Sequence, residues 1–182
     1  MLDLQQNFLF DDLLVKNFLN LSQEEKDITR NCRNHETIRR WMYSDSIISP
    51  EEHGEFLDDL IHDFKNFYWI VQKEHDFIGV ISLNRVDLRN KNAYLGIYSN
   101  PYCKLKGKGN LLIECLKKIA FDIAKLHTLK LEVMDENEHA INFYGRSGFK
   151  EEGRLKEFVL KNGNWYDMIV MGIIEGEKLH GN

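Results

Sequence analysis

Residues 104–110 read KLKGKGN and run straight into LLIECLKKIAF at 111–121. Gly107 and Gly109 stand two apart among Lys104, Lys106 and Lys108. The apolar positions that follow recur every three or four residues, as on one face of a helix. A helix N-terminus carries unpaired backbone N–H groups and a partial positive charge, which suits phosphate. Glycine there removes the Cβ atoms that would hold a phosphate oxygen away, and lysines add long-range attraction. The spacing is neither GxxxxGK[ST] nor GxGxxG, because residue 112 is Leu. Taken alone, the loop reads equally as a solvated glycine turn with lysines for solubility.

The flanking patterns place this loop in a sheet. NAYLGIYSN (92–100) is a strand with Gly96 in its middle, and glycine weakens a strand unless another backbone or a ligand comes close. FYWIVQKE (67–74) and FIGVISLNRVDL (77–88) are β-branched and aromatic runs joined as a hairpin. Nearer the N-terminus, FLFDDLLVKNF (8–18) reads as a first strand. Three helical signals follow it: SQEEKDITRNCRN with Ser22 and Glu25 as a capping box, HETIRRWMYS (35–44), and SPEEHGEFLDDLIHDF with Ser49 as cap and Pro50 in the first turn. After the loop come a helix over 110–126, the strand TLKLEVM (128–134), a short helix EHAINFYGRS stopped by Gly148, and a hairpin turning on Asn162-Gly163. A strand, loop and helix feeding another strand implies a right-handed crossover, hence two parallel neighbours in an otherwise antiparallel sheet of seven strands.

Composition excludes several classes. The 182 residues carry a formal charge of −5, which argues against nucleic acid as the main partner. Three cysteines, Cys32, Cys103 and Cys115, form no CxxC pair and fit free thiols in a reducing cytoplasm. MLDLQQNFLFDD has no positive region or cleavage site, so no signal peptide is expected, and the longest apolar run, MIVMGII, is far below the ~18 residues that span a bilayer. With only Pro50 and Pro101 and no linker or repeat, residues 1–182 read as a single domain. No metal site is expected.

The combination of K-x-x-G-x-G (104–109) opening a helix with N-x-x-A-x-x-F-Y-x-x-x-G-F (137–149) resembles the GNAT N-acetyltransferase superfamily over roughly residues 68–174. That resemblance implies an α/β (α+β) GNAT fold: a mixed, mostly antiparallel sheet flanked by helices, with a V-shaped splay between the two parallel strands. It implies acetyl-CoA as co-substrate, held by a core over 67–174. The backbone of Leu95 and Ile97 would pair with pantetheine, and residues Lys104, Leu105, Lys106, Gly107, Lys108 and Gly109 would hold the pyrophosphate. Asn137 would hydrogen-bond the pantetheine arm, with Ala140 and Phe143 packed beside it. Lys104 stands where the superfamily usually has Gln or Arg; lysine keeps the charge and loses the fork geometry.

Acetyl transfer to an amine needs a neutral amine, a stabilised oxyanion and a proton for the departing thiolate. Tyr144 matches the superfamily's general acid, and the Ile97 N–H is the candidate for polarising the thioester carbonyl. Glu132, inside a strand expected to be covered on both faces, is the candidate base or else an ion-pair partner; with a sugar amine, bulk water would also serve. Tyr94 and Tyr98, on the strand face of Gly96, would order a water or simply pack.

RNHETIRRWMYS followed by ISPEEHGEFLDDL is similar to the nucleotide-sugar N-acetyltransferases of pseudaminic acid biosynthesis, extending the resemblance to about residues 30–174. Residues 1–66 would then bind the acceptor. Arg33 and His53 would supply cations for the diphosphate, and Met42, Tyr43 and Phe56 an apolar, stacking surface for uracil and a 6-deoxy methyl group. The implied reaction acetylates the 4-amino group of UDP-4-amino-4,6-dideoxy-N-acetyl-β-L-altrosamine, a precursor for flagellin glycosylation. A ribosomal-protein N-terminal acetyltransferase and a non-catalytic acyl-CoA sensor are the alternatives. The apolar C-terminal hairpin is a candidate homodimer surface.

Overall fold

A computed structural model describes residues 3–74 and 76–176. The stretch expected as one first strand is two, β1 (Phe8–Phe10) and β2 (Leu13–Asn17), because Asp11 takes a left-handed conformation (φ 54°) and turns the chain back. Among the described residues the sheet therefore has eight strands and not seven. The others are β3 (Phe67–Lys73), β4 (Asp76–Asp87), β5 (Asn92–Ser99), β6 (Thr128–Met134), β7 (Lys150–Lys161) and β8 (Asn164–Ile174). Their order is β1-β2-β3-β4-β5-β6-β8-β7, every pair antiparallel except β5 with β6.

The parallel pair is short. Its register runs from Asn92↔Thr128 to Tyr94↔Lys130 and stops, while β5 stays on β4 as far as Gly79↔Ser99 and β6 stays on β8 as far as Met134↔Met168. Each strand follows its outer neighbour, so the facing edges of 95–99 and 131–134 separate into a V. Their backbone groups on that side are left for something other than the sheet.

The helices are α1 (Gln23–Asn34), α2 (Glu36–Arg39), α3 (Pro50–Asp59), α4 (Lys108–Lys117) and α5 (Glu138–Arg146). The expected capping box of Ser22 with Glu25 forms, and Ser49 caps α3 as expected, with Glu52 completing a second box that the sequence reading did not mark. The expected helix over 35–44 is confined to α2, and residues 40–49 form an irregular strap. The helix expected over 110–126 starts two residues earlier, and its end, Lys118–Ile123, is a π-helical turn. Its apolar face, Leu112, Ile113, Leu116 and Ile119, is fully buried among Ile78, Ile81, Leu83 and Leu129. At roughly 2 kcal/mol per buried side chain, this contact fixes α4 on the sheet. Gly79 allows the close approach, since a Cβ there would stand 2.8 Å from Leu112 Cδ1. Asn162 (φ 48°) and Gly163 (φ 78°) both lie in the left-handed region, as a two-residue hairpin turn requires. That hairpin leaves Phe158, Leu160 and Trp165 exposed. Among the described residues, no helix is long and apolar enough to cross a membrane.

Candidate active site

The V opens into a cavity of about 430 Å³, walled by Leu95, Gly96, Ile97 and Tyr98 of β5, Glu132 of β6, and Ala140 and Tyr144 of α5. A second cavity, about 380 Å³, shares Ile97, Tyr98, Ala140 and Tyr144 with it and runs to Gly107, Gly109, Asn110 and Phe143. A third, about 350 Å³, reaches Asn137, His139 and Lys108. One continuous slot thus joins the glycine loop to the fork of the strands.

The loop is built differently from the expectation in two places. Gly107 caps α4 in the left-handed conformation (φ 74°), a position where a side chain would be strained. Its carbonyl accepts from the amides of Asn110 and Leu111, and no described backbone carbonyl takes those of Lys108 and Gly109. Gly109, however, is small because of Phe143, whose ring a Cβ would meet at 3.1 Å. Lys108 does not project toward an anion: its Nζ donates to the carbonyls of Asn100 (2.6 Å) and Cys103 (2.7 Å) and closes the loop from inside. Lys104, Leu105 and Lys106 are exposed. Buried Asn100, unremarked in the sequence, holds the loop's start, donating to Phe77 O and accepting from the Tyr102 amide.

Gly96 also has a reason within the sheet. A Cβ there would stand 2.6 Å from Ser82 Oγ on β4, and Ser82 and Asn84 both wall the cavity. Asn137 caps α5, its Oδ1 accepting from the Ala140 amide at 3.2 Å. Tyr144 packs edge-on between Phe143 and Phe149. Burial raises its pKa above the ordinary phenolic value, so it holds its proton.

Glu132 is largely covered, as expected, and stands in the cavity wall. Its Oε2 accepts from the Tyr43 hydroxyl, and its Oε1 lies 3.8 Å from Arg85 Nη1. Tyr94 sits under that guanidinium, 5.0 Å from its ring centre, and does not wall the cavity; Tyr98 does.

A further cavity, about 520 Å³, adjoins the fork through the shared side chains Arg33, Tyr68 and Tyr98. It brings together Arg33, His53 and Phe56, as the sequence suggests, and adds Phe18 and Tyr68, which it did not mark. Met42 and Tyr43 wall the fork instead. His53 does not serve as a cation: it is buried, and desolvation together with nearby Arg30 lowers its pKa, leaving a neutral ring stacked on Phe56. Arg33 donates from Nη2 to Ser44 O (3.3 Å), while its buried Nη1 has no partner among the described residues. Among the described residues, the one carboxylate on this wall, Glu52, is engaged by the Ser49 amide at 2.7 Å. His139 and Arg146 of α5 also line the slot beside the glycine loop, and the sequence motifs did not mark them.

The Acetyltransferase (GNAT) domain family matches residues 22–170. The acetyltransferase PseH of Campylobacter jejuni is 34% identical over 144 residues, covering 79% of this chain and 88% of that protein. The spermidine N(1)-acetyltransferase of Vibrio cholerae is 28% identical over 151 residues, covering 82% and 87%. Among solved structures, the Vibrio cholerae spermidine N-acetyltransferase in complex with CoA and spermine superposes with a TM-score of 0.81 at 26% identity, covering 91% of this chain and 96% of that one. Campylobacter jejuni PseH in complex with acetyl coenzyme A superposes with a TM-score of 0.68 at 26% identity, covering 90% and 99%. With the forked sheet, the glycine-capped helix and Tyr144 at their junction, the chain belongs to the GNAT family of acetyl-CoA-dependent N-acetyltransferases.

Proposed function

We propose that the protein transfers acetyl from acetyl-CoA to the 4-amino group of UDP-4-amino-4,6-dideoxy-N-acetyl-β-L-altrosamine, as a cytoplasmic enzyme of pseudaminic acid biosynthesis leading to flagellin glycosylation. The observation that carries this reading is the wall of the acceptor cavity. It presents the guanidinium of Arg33 and the rings of Phe18, Phe56 and Tyr68, and its single carboxylate, Glu52, is already held in a helix cap. A diphosphate and a nucleobase suit such a wall. A polyamine would need free carboxylates. The acetyltransferase PseH is also the relative with the higher sequence identity of the two described above.

The pyrophosphate of acetyl-CoA would lie on the amides of Lys108 and Gly109, and pantetheine along the free edge of Leu95 to Ile97. The acceptor nitrogen attacks the thioester carbonyl carbon, the Ile97 N–H bears on the carbonyl oxygen, and the C–S bond breaks. Tyr144 gives its proton to the thiolate, and Glu132, directly or through water, takes the proton the amine loses.

The test is thiol release from acetyl-CoA with the nucleotide sugar, with spermidine, and with a ribosomal-protein N-terminal peptide as separate acceptors. Turnover with the nucleotide sugar alone is expected. Comparable or better turnover with spermidine or the peptide would replace this reading, and coenzyme binding without any turnover would leave an acyl-CoA sensor.

A further inference from the structure

Glu132 lies two residues beyond the last β5–β6 pair, where the strands part, and its side chain is only 12% exposed. Both of its oxygens are engaged, Oε2 by the Tyr43 phenol and Oε1 by the Arg85 guanidinium. The two partners differ in what holds them. Arg85 leans on the Tyr94 ring. Tyr43 comes from the strap 40–49, which is neither helix nor strand, and is about half exposed, touching Phe158 edge-on.

The backbone around Tyr43 is pinned on its C-terminal side. Ser44 O accepts from Arg33, Asp45 O from Arg39 at 2.7 Å, and Ile48 exchanges two 2.8 Å bonds with the Asn34 side chain. The phenol can therefore swing while the strap stays in place, at the loss of one hydrogen bond. The same strap continues through Ser44, Ser46, Ile47 and Ile48, which wall the acceptor cavity. Whatever enters that cavity meets the segment that carries Tyr43.

We infer that Tyr43 is a specificity residue against water: its phenol occupies Glu132 until an acceptor amine takes that place, so that cleavage of acetyl-CoA depends on the acceptor. The inference rests on the role proposed above for Glu132 as base. The reaction suppressed is hydrolysis. A free Glu132 carboxylate takes a proton from water, the water oxygen bonds to the acetyl carbonyl carbon, the C–S bond breaks, and the thiolate takes the Tyr144 proton, giving acetate and CoA. A phenol hydrogen-bonded to the carboxylate stands where that water would have to sit.

The experiment measures acetate and CoA formed from acetyl-CoA by the full-length chain without acceptor, in wild type, Tyr43→Phe, Glu132→Gln and the double variant. Tyr43→Phe keeps the ring and removes only the hydroxyl. It is expected to raise acceptor-independent hydrolysis about tenfold, the population change that loss of one hydrogen bond to a charged group brings, with the acetyl-CoA KM unchanged. In the double variant, hydrolysis is expected to return to the wild-type rate or below. Hydrolysis by Tyr43→Phe at or below the wild-type rate overturns the inference, as does a raised rate that persists in the double variant. Acceptor-dependent transfer separates the two readings: Glu132→Gln transferring at the wild-type rate overturns both the base and the inference, whereas impaired transfer with unchanged Tyr43→Phe hydrolysis overturns the inference alone.

Discussion

The edge of the Phe143 ring fills the space into which any side chain at residue 109 would project: a Cβ there would stand 3.1 Å from Cε2 and 3.3 Å from Cζ. Phe143 meets Tyr144 edge-on, with ring centres 5.2 Å apart. The start of α4, where the coenzyme phosphates would bind, is thereby coupled to the proposed acid. Gly109→Ala must push the half-buried Phe143 by a few tenths of an ångström. Overpacking costs about 1–3 kcal/mol, and a better helix former offsets up to ~1 kcal/mol, so a small loss of stability is expected. Turnover should fall about tenfold through displacement of Tyr144. Thermal melts and kcat at saturating acetyl-CoA check this, and an unchanged kcat would break the coupling.

The Tyr144 hydroxyl has no hydrogen-bond partner among the described residues, and burial raises its pKa. Tyr144→Phe therefore removes a polar group that contributes little to folding, and stability should hold or rise by about 1 kcal/mol. Turnover should drop about a hundredfold or more, with CoA affinity by calorimetry nearly unchanged. The sign of the pH effect follows from the raised pKa. Its stabilising contribution is complete below the ordinary phenol value of about 10 and is lost as pH rises through the higher folded value. Alkaline unfolding should accordingly be less steep in Tyr144→Phe than in wild type.

His53 titrates the other way. Burial and the charge of Arg30 lower its folded pKa from 6.5, with Lys26 adding and Asp27 opposing. The neutral ring is what folds, so its contribution is present above pH 6.5 and is lost as pH falls through the folded value. Wild-type stability should decline below pH 6.5, and His53→Gln should flatten that limb. Parallel melting curves for the two proteins from pH 7.5 to 5 would show that another group is responsible.

What the sequence conveys and what it hides divide along the range of the interaction. Ser22 with Glu25, Ser49 as the cap of α3, and Asn162-Gly163 each act within four residues, and each forms as read. Gly96, Gly109 and Lys108 were legible as unusual, yet their partners, Ser82, Phe143 and the carbonyl of Asn100, are set by sheet register and helix packing. The same holds for Tyr68, Ser82 and Asn84, polar or aromatic positions on β3 and β4 that reach the cavities only because β5 leaves β6 after Tyr94. The turn at Asp11 escaped because neither glycine nor proline marks it.

Arg33 stands in the wall common to the fork and the acceptor cavity with one guanidinium nitrogen buried and without a partner among the described residues, and burial disfavours its charge. Such a group costs folding energy that an apolar side chain of similar length would not. Arg33→Met is expected to keep or raise the melting temperature while raising the acceptor KM about tenfold or more, with the acetyl-CoA KM unaffected. A variant less stable than wild type with an unaltered acceptor KM would make Arg33 a structural tie for Ser44.

Gly96 and Ser82 face each other across β5 and β4, and the serine is what excludes a side chain from residue 96. Ser82 is buried, and its Oγ accepts from Asn84 Nδ2 at 2.9 Å. Gly96→Ala would place a Cβ 2.6 Å from that oxygen and should cost about 2–3 kcal/mol. Ser82→Ala deprives Asn84 of its acceptor and should cost about 1 kcal/mol. With both changes, the contacts remaining to the new Cβ are Asn84 Nδ2 at 3.6 Å and the Cβ of residue 82 at 4.0 Å, ordinary van der Waals distances. The double variant should therefore be more stable than the sum of the single losses predicts, by about 1 kcal/mol or more in a denaturant cycle. Strict additivity would mean that the glycine answers to something other than Ser82, and the free edge of β5, where the pantetheine arm would pair, would become the next suspect.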